Sequence, residues 1–225
     1  MVGQPEKTAT VVSDLFAEMD STVSAYDAGA IRATRRVNGT AFFPGGIGLW
    51  RGEMPDGAAP IWFPSSPIMI LGHNFDKVAG LEASWRRGIE LMEGGTWLIL
   101  RRYLEAAKVD PLDCFFTNVF MGLQPTRSVG DVVSGDKYKQ QCRTFLRWQL
   151  KRVKPRLVVA LGIPAAEQYR LSGCDAPFVS LYHPLYAFSK GRNGEECASI
   201  VAREGAKLNH ALISVEPAVT SEARN

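Results

Sequence analysis

The sequence lacks a long hydrophobic run, closely spaced cysteines and a large excess of charge of either sign. Its longest apolar run is no longer than a buried strand, and no charged segment followed by a hydrophobic one opens the chain. We therefore expect a cytoplasmic protein without a membrane partner. The cysteines, Cys114, Cys142, Cys174 and Cys197, include no C-x-x-C pair, so neither a zinc site nor a disulfide framework is indicated. A net charge of +3 is smaller than that of many dedicated nucleic-acid coats and leaves the partner open.

Several familiar catalytic motifs are also missing. The chain has no G-x-G-x-x-G after its first strong strand pattern, no G-x-x-x-x-G-K-[ST], no G-x-S-x-G and no H-E-x-x-H. Dinucleotide binding, P-loop nucleotide binding, serine hydrolysis and zinc proteolysis therefore lose their usual support.

The composition is that of an ordinary globular protein, because 46% hydrophobic and 22% charged residues indicate neither disorder nor a fibrous structure. We predict one domain over residues 1–225, which is long enough to bury a full core. Residues 1–66 are predicted to form a helix at about 11–23 and irregular loops rich in glycine and proline, packed on the rest. Residues 214–225 are polar, and we expect a disordered tail there.

The remaining sequence alternates between short apolar runs and helical patterns. Strands are predicted at 68–72, 114–120, 157–162 and 178–182, and helices at 96–109, 136–153 and 164–171. Continuous apolar strands that alternate with helices form parallel sheets covered on both faces, with right-handed crossovers. The predicted fold class is therefore α/β, a three-layer α/β/α sandwich around a central four-stranded parallel sheet.

Polar residues follow the predicted strands. They stand in Gly72-His73-Asn74-Phe75-Asp76, in Thr117-Asn118-Val119, at Gly162, and in Tyr182-His183-Pro184. Ligands of open parallel sheets bind outside the carboxyl ends of the strands. A single asparagine or histidine at such a place is more often a turn or cap residue. Their recurrence in order, each after a strand, favours a functional site.

These motifs resemble those of the uracil-DNA glycosylase superfamily. Members carry a first-strand motif, matched here by Gly72-His73-Asn74, then an asparagine on the second strand, matched by Asn118, and a late His-Pro motif, matched by His183-Pro184. The segment from Cys142 to Gly162 is very similar to the helix and strand that bacterial members carry between the last two motifs. The resemblance covers about residues 67–188 and implies excision of a base from DNA.

The resemblance implies a role for each polar group. An extruded base must be held on its hydrogen-bonding edge and stabilised as it leaves with negative charge. The Asn118 carboxamide can pair with O4 and N3–H of a pyrimidine. His183 can donate to O2, and one such donor typically contributes about 3 kcal/mol to the transition state. Asn74 would orient the attacking water, and Asp76 would be the general base if it faces the same pocket.

Further residues are predicted around this centre. Gly72 and His73 belong to the base pocket, and Phe75 or Trp85 would form its aromatic wall, although core packing explains each aromatic residue equally well. Side chains expected to contact DNA, through apolar wedging or phosphate binding, are Gln124, Arg127, Leu185, Tyr186, Lys190 and Arg192.

The sequence departs from the family pattern in three places. Phe75 stands where many members have proline, Asp76 where several have glycine or tyrosine, and Leu185 where serine is common. Only Cys142 matches one of the four cysteines of iron-sulfur members, so we expect no metal and no other cofactor. We predict a monomeric glycosylase that removes uracil from DNA. The alternatives are excision of another base such as hypoxanthine, a member that binds nucleic acid without cutting, and an enzyme acting on free nucleosides.

Overall fold

The fold was analysed in a computed structural model of the chain. The structure describes residues 8–24, 31–32, 43–44, 63, 66–74, 95–123, 136–191 and 194–215. None of the helices in these ranges is long and apolar enough to cross a membrane.

The strands and helices alternate along the described chain. The strands are β1 (Ile31–Arg32), β2 (Phe43–Pro44), β3 (Ile68–Gly72), β4 (Cys114–Asn118), β5 (Gly122–Leu123), β6 (Leu157–Leu161) and β7 (Phe178–Leu181). The helices are α1 (Thr8–Thr22), α2 (Gly95–Ala106), α3 (Asp136–Val153), α4 (Ile163–Leu171), α5 (Pro184–Ser189) and α6 (Glu195–Val215). A single 3-10 turn, Pro111–Asp113, precedes β4.

The central sheet has the strand order β2-β4-β3-β6-β7. The four strands β4, β3, β6 and β7 are parallel, and the predicted three-layer α/β/α fold is confirmed. β2 adds an antiparallel edge beside β4, within a region for which we predicted only irregular loops. β1 and β5 form a separate antiparallel pair. These strands of two residues carry no periodic pattern, so only their pairing partners reveal them.

The strand order places a crevice at the site. From β3 the chain passes first to β4 on one side and later to β6 on the other. Such a reversal of direction in an open parallel sheet opens a crevice at the carboxyl ends of the strands. The residues that follow β3, β4, β6 and β7 therefore meet at one edge of the sheet.

Helices cover both faces of the sheet. The apolar residues of β3, β4 and β6 are buried, as expected for strands enclosed on two sides. On one side α3 packs on α1 and α4, and elsewhere α2 packs on α5 and α6. α2 and α6 approach so closely that a Cβ at Gly205 would overlap the side chain of Ala106.

Most element boundaries lie within a few residues of the predicted ones. α3 has the predicted bounds, and it ends where Lys154 adopts a positive φ of 49° before Pro155. α2 ends three residues before the predicted position 109. α5 was not predicted, and α6 continues to Val215, past the start of the predicted tail. Residues 216–225 lie outside the described residues.

Candidate functional site

Gly72 and Asn118 are register partners at the carboxyl ends of β3 and β4. A Cβ on residue 72 would overlap the Asn118 Oδ1 atom. Past the strand ends, the Val119 amide donates to the Gly72 carbonyl at 2.9 Å, and the Phe120 amide donates to the His73 carbonyl at 3.1 Å. The two motif segments are thus held together, and the Asn118 carboxamide lies against Gly72.

His73 connects the first motif to the rest of the site. Its half-buried ring meets the ring of Phe120 edge to face, with centroids 5.2 Å apart. Its side chain is hydrogen-bonded to that of Asn74. Burial lowers the pKa of His73, and the bond to Asn74 partly opposes that effect. A neutral imidazole therefore restrains the Asn74 carboxamide.

His183 is the N-cap residue of α5, two residues after the end of β7. Its Nδ1 accepts a hydrogen bond from the Leu185 amide at 3.2 Å. An imidazole nitrogen that accepts a hydrogen bond carries no proton, so neutral His183 carries its proton on Nε2. Burial lowers the pKa of His183, and the nearby His73 lowers it further. The residue thus offers an uncharged Nε2–H donor.

Gly162 places the end of β6 directly against His183. Its φ is 86°, and a Cβ at this position would come to 3.1 Å from the His183 Cβ. Its amide donates to the Leu181 carbonyl at 2.8 Å. A side chain at 162 would strain the backbone and crowd the histidine, which explains the glycine.

The predicted site residues fall into three groups. The structure brings together Gly72, His73, Asn74 and Asn118 through the contacts above. His183 lies near enough to His73 for that residue to lower its pKa. Leu185 and Tyr186 lie on α5, which begins directly after His183, and Lys190 is the C-cap residue of that helix. Predicted site residues that lie outside the described residues are Phe75, Asp76, Trp85, Gln124, Arg127 and Arg192.

Glu204, which was not identified from the sequence, supports the strand that leads to His183. Only 3% of Glu204 is exposed. Its Oε2 accepts the Tyr182 amide at 2.9 Å, and its Oε1 accepts the Arg203 Nε–H at 2.9 Å. Glu204 follows Cys197 and Ile200 at helical spacing on the buried face of α6. A carboxylate in an apolar stripe was the signal that could have identified it.

The cysteines do not fit an iron-sulfur cluster. Such a cluster needs four converging thiolates, yet the described chain contains no group of three or more His, Cys, Asp or Glu side chains that could hold a metal ion. All four cysteines are within the described residues, and three of them are buried. Burial raises the pKa of Cys114, which keeps that thiol protonated.

Comparison with known proteins identifies the family. The family model described as Uracil DNA glycosylase superfamily matches residues 63–203, which include β3, β4, β6, β7 and the residues that follow them. No curated protein matches the chain. The match supports a glycosylase-type hydrolase that acts on DNA. With 141 of its 225 residues matched (63 to 203 inclusive), the chain belongs to the uracil DNA glycosylase superfamily.

Proposed function

We propose that this protein is a DNA glycosylase that hydrolyses the N-glycosidic bond of uracil extruded from a DNA strand. The observation that carries the proposal is the neutral Nε2–H donor of His183, whose Nδ1 is occupied by the Leu185 amide. Around it, the Asn118 and Asn74 carboxamides follow neighbouring strands of the same sheet.

Asn118 is proposed to recognise the base. A carboxamide has an acceptor and a donor side by side, and uracil presents N3–H and O4 in the complementary arrangement. Cytosine has an amino group in place of O4 and an unprotonated N3, so it would face Asn118 with the opposite pattern. The close contact with Gly72 restricts where the carboxamide can lie, and this restraint sharpens the discrimination.

His183 is proposed to stabilise the departing base. When the bond from C1′ to N1 breaks, its electron pair goes to the base, and the negative charge is shared with O2. A neutral Nε2–H donor can strengthen its hydrogen bond to O2 as that charge grows. The backbone amide of Leu185 holds the imidazole in the required tautomer throughout. Burial, which lowers the pKa of His183, keeps it uncharged at neutral pH.

Asn74 is proposed to orient the water that attacks C1′. Its link to His73 restrains the carboxamide, and orientation alone contributes substantially to a reaction between two bound groups. The oxygen of that water bonds to C1′, and one proton of the water passes to a general base. Asp76 remains our candidate for that base, two residues beyond Asn74 in the chain.

We further propose that the protein acts as a cytoplasmic monomer on DNA, without a metal or cofactor. Leu185 and Tyr186 on α5, and Lys190 at its C-cap, follow His183 and would contact the DNA strand. Gln124, Arg127 and Arg192 are proposed as further DNA contacts, with Phe75 or Trp85 as the aromatic wall of the base pocket.

Uracil release from oligonucleotides tests the proposal. Single- and double-stranded substrates with one uracil or one hypoxanthine are incubated with the protein, and abasic sites are revealed by alkaline cleavage. We expect release of uracil by the parent and by His210→Ala, whose histidine is exposed on α6, and a loss of about 100- to 1000-fold with His183→Ala.

The other outcomes distinguish the alternatives. Release of hypoxanthine alone would support the proposed glycosylase activity and show that its substrate is hypoxanthine and not uracil. Tight, salt-sensitive DNA binding without release would favour the member that binds and does not cut, because phosphate contacts release counterions. Cleavage of free nucleosides without DNA binding would favour the third alternative.

A further inference from the structure

Two exposed tyrosines flank the histidine of the site. Tyr182 precedes His183 by one residue, and Tyr186 follows it by three. We propose that these tyrosines, together with Arg203 and Lys190, form a stacking surface for the nucleobase that adjoins the extruded one in the DNA strand. We call these four residues the tyrosine surface. The inference rests on the proposed function and extends it to the neighbouring nucleotide.

The geometry of the tyrosine surface is that of a preformed aromatic platform. Each tyrosine is 47% exposed, and their rings meet edge to face with centroids 5.1 Å apart. The Arg203 guanidinium lies 4.7 Å from the ring centroid of Tyr182, and the Lys190 Nζ lies 5.6 Å from that of Tyr186. Among the exposed large hydrophobic residues of the described chain, these two are the aromatic ones.

The buried carboxylate of Glu204 holds two parts of the tyrosine surface in place. One oxygen of its buried carboxylate accepts the backbone amide of Tyr182, and the other accepts the Nε–H of Arg203. A buried carboxylate is unfavourable unless its hydrogen bonds are satisfied, so these two bonds account for its presence. They also hold the ring-bearing backbone and the guanidinium in place. A surface arranged in advance loses less entropy when a ligand binds.

A nucleobase fits this surface for three reasons. Extrusion of one nucleotide deprives its neighbours of a stacking partner, which an aromatic ring can replace. Every base has a π-face, so such a platform accepts any neighbour. The surface is also continuous with the site, since His183 lies between the two tyrosines in the chain.

The charges around the two tyrosines favour base stacking over binding by electrostatic attraction alone. Arg203 is paired with Glu204, and Lys190 is paired with Glu196 at 3.2 Å. Each cation thus has a nearby carboxylate, and the local excess of positive charge is small. Loss of a tyrosine should therefore weaken DNA binding with little change in its salt dependence, whereas loss of a phosphate contact lowers the salt slope.

A cycle that combines protein and DNA changes tests the inference. The probe is a single-stranded oligonucleotide with one 2′-fluoro-2′-deoxyuridine, whose fluorine slows cleavage of the bond at C1′. An abasic spacer replaces the nucleotide on one side or the other. With the parent, a spacer on one side should raise Kd by about 5- to 150-fold. Tyr182→Ala should raise Kd for the intact probe by a similar factor and be insensitive to that spacer, whereas Tyr182→Phe should bind as the parent does.

Matched controls separate stacking from a general effect on the fold. Arg170 lies 5.2 Å from the ring centroid of Phe178, at the start of β7, which is the far end of that strand from His183. Arg170→Gln should leave binding and spacer sensitivity unchanged. Thermal unfolding of each variant shows that it is folded, and Tyr186→Ala gives a second variant if Tyr182→Ala does not fold.

The outcomes also separate this inference from the proposed function. Equal spacer effects in the parent and both folded tyrosine variants would overturn the tyrosine surface, even if uracil is still released. Coupling between Tyr182 and the spacer without any release of uracil would support the tyrosine surface as a stacking site. It would contradict the proposed glycosylase function. A parent that neither binds the probe nor releases uracil from either kind of substrate would overturn both.

Discussion

The carboxamide oxygen of Asn118 lies in the space that a Cβ on Gly72 would fill. The two residues are register partners on adjacent parallel strands, so neither can move away along the sheet without breaking the ladder. A side chain at the end of β3 would therefore force the Asn118 carboxamide to shift. Substitution of Gly72 thus tests the proposed role of Asn118 in base recognition.

Gly72→Ala should displace the Asn118 carboxamide and lower kcat/KM for uracil release by about 30-fold. That factor corresponds to two hydrogen bonds of about 1 kcal/mol each. Asn118→Ala should cause a similar loss, and the double variant should be no worse than Asn118→Ala alone, because both changes remove the same contact. Steady-state kinetics on a uracil oligonucleotide measures this. Additive losses would show that Gly72 acts on something other than Asn118.

His183→Asn should separate capping of α5 from catalysis. The Asn side chain can still accept the Leu185 amide, so the helix cap and the stability are retained, whereas His183→Ala loses the cap and about 1 kcal/mol. Both variants remove the imidazole Nε2–H, and kcat should fall by about 100- to 1000-fold in each. Chemical unfolding and single-turnover kinetics measure the two effects. Near-parental turnover by His183→Asn would contradict the assigned role.

Acid should destabilise the protein through His73 and His183. Burial lowers the pKa of both histidines in the folded state, so below about pH 6.5 the unfolded chain binds protons that the folded protein does not. Their contribution to the free energy of unfolding is present above that pH and is lost as pH falls through the folded pKa values. Urea unfolding between pH 5 and 8 should show a shallower acid decline in His73→Gln and His183→Gln. His210→Gln, the exposed control, should decline as the parent does.

The buried hydrogen bond between Thr117 and Gln149, beside Asn118, should make the effects of substituting these two residues on stability strongly non-additive. The Thr117 hydroxyl donates to the Gln149 Oε1 at 2.9 Å, which ties β4 to α3, and the Gln149 Nε2 is buried without a hydrogen-bond partner. Thr117→Val should cost about 1–3 kcal/mol, because the Gln149 oxygen then loses its partner as well. Adding Gln149→Met should recover much of that loss, since both polar partners are then replaced. Urea unfolding of the two single variants and the double variant measures the coupling, and simple additivity would contradict it.

Glu204→Gln should weaken the support of the strand that ends before His183. A glutamine has one oxygen to accept the Tyr182 amide or the Arg203 Nε–H, so one donor loses its acceptor. We expect a loss of about 1–3 kcal/mol in the free energy of unfolding. The exposed Glu167 on α4 provides the matched control, and Glu167→Gln should leave stability unchanged. Equal stability of both variants would show that the Glu204 carboxylate contributes nothing.

Much of the fold was predictable because its strands and helices carry strong local patterns. The four parallel strands appear as short apolar runs, and α3 combines a helical stripe with a proline two residues past its end. β2 could not be predicted, because two residues have no period and become a strand only by pairing with β4. α5 was missed for a similar reason, since a helix of six residues carries less than two turns of pattern.

The sequence suggested members of the candidate site and not the contacts between them. Asn74, Asn118 and His183 were identified because each follows a strand, and their catalytic roles stay predictions. The link of His73 to both Asn74 and His183 could not be foreseen, since it depends on how two distant loops approach each other. Glu204 was overlooked because charge on a helix is usually taken as solvent-exposed, and only its two buried partners reveal its place.

By itself, the sequence determined that apolar strands alternate with helices and that polar groups follow the strands, because period and chain order are local properties. Only the tertiary structure decided which strands are neighbours, where the Asn118 carboxamide lies relative to Gly72, and which nitrogen of His183 carries the proton. Strand order and the first of these contacts join residues far apart in the chain. The tautomer depends on the turn that begins α5. Strand order and the contact between Asn118 and Gly72 follow from packing, which no local pattern encodes.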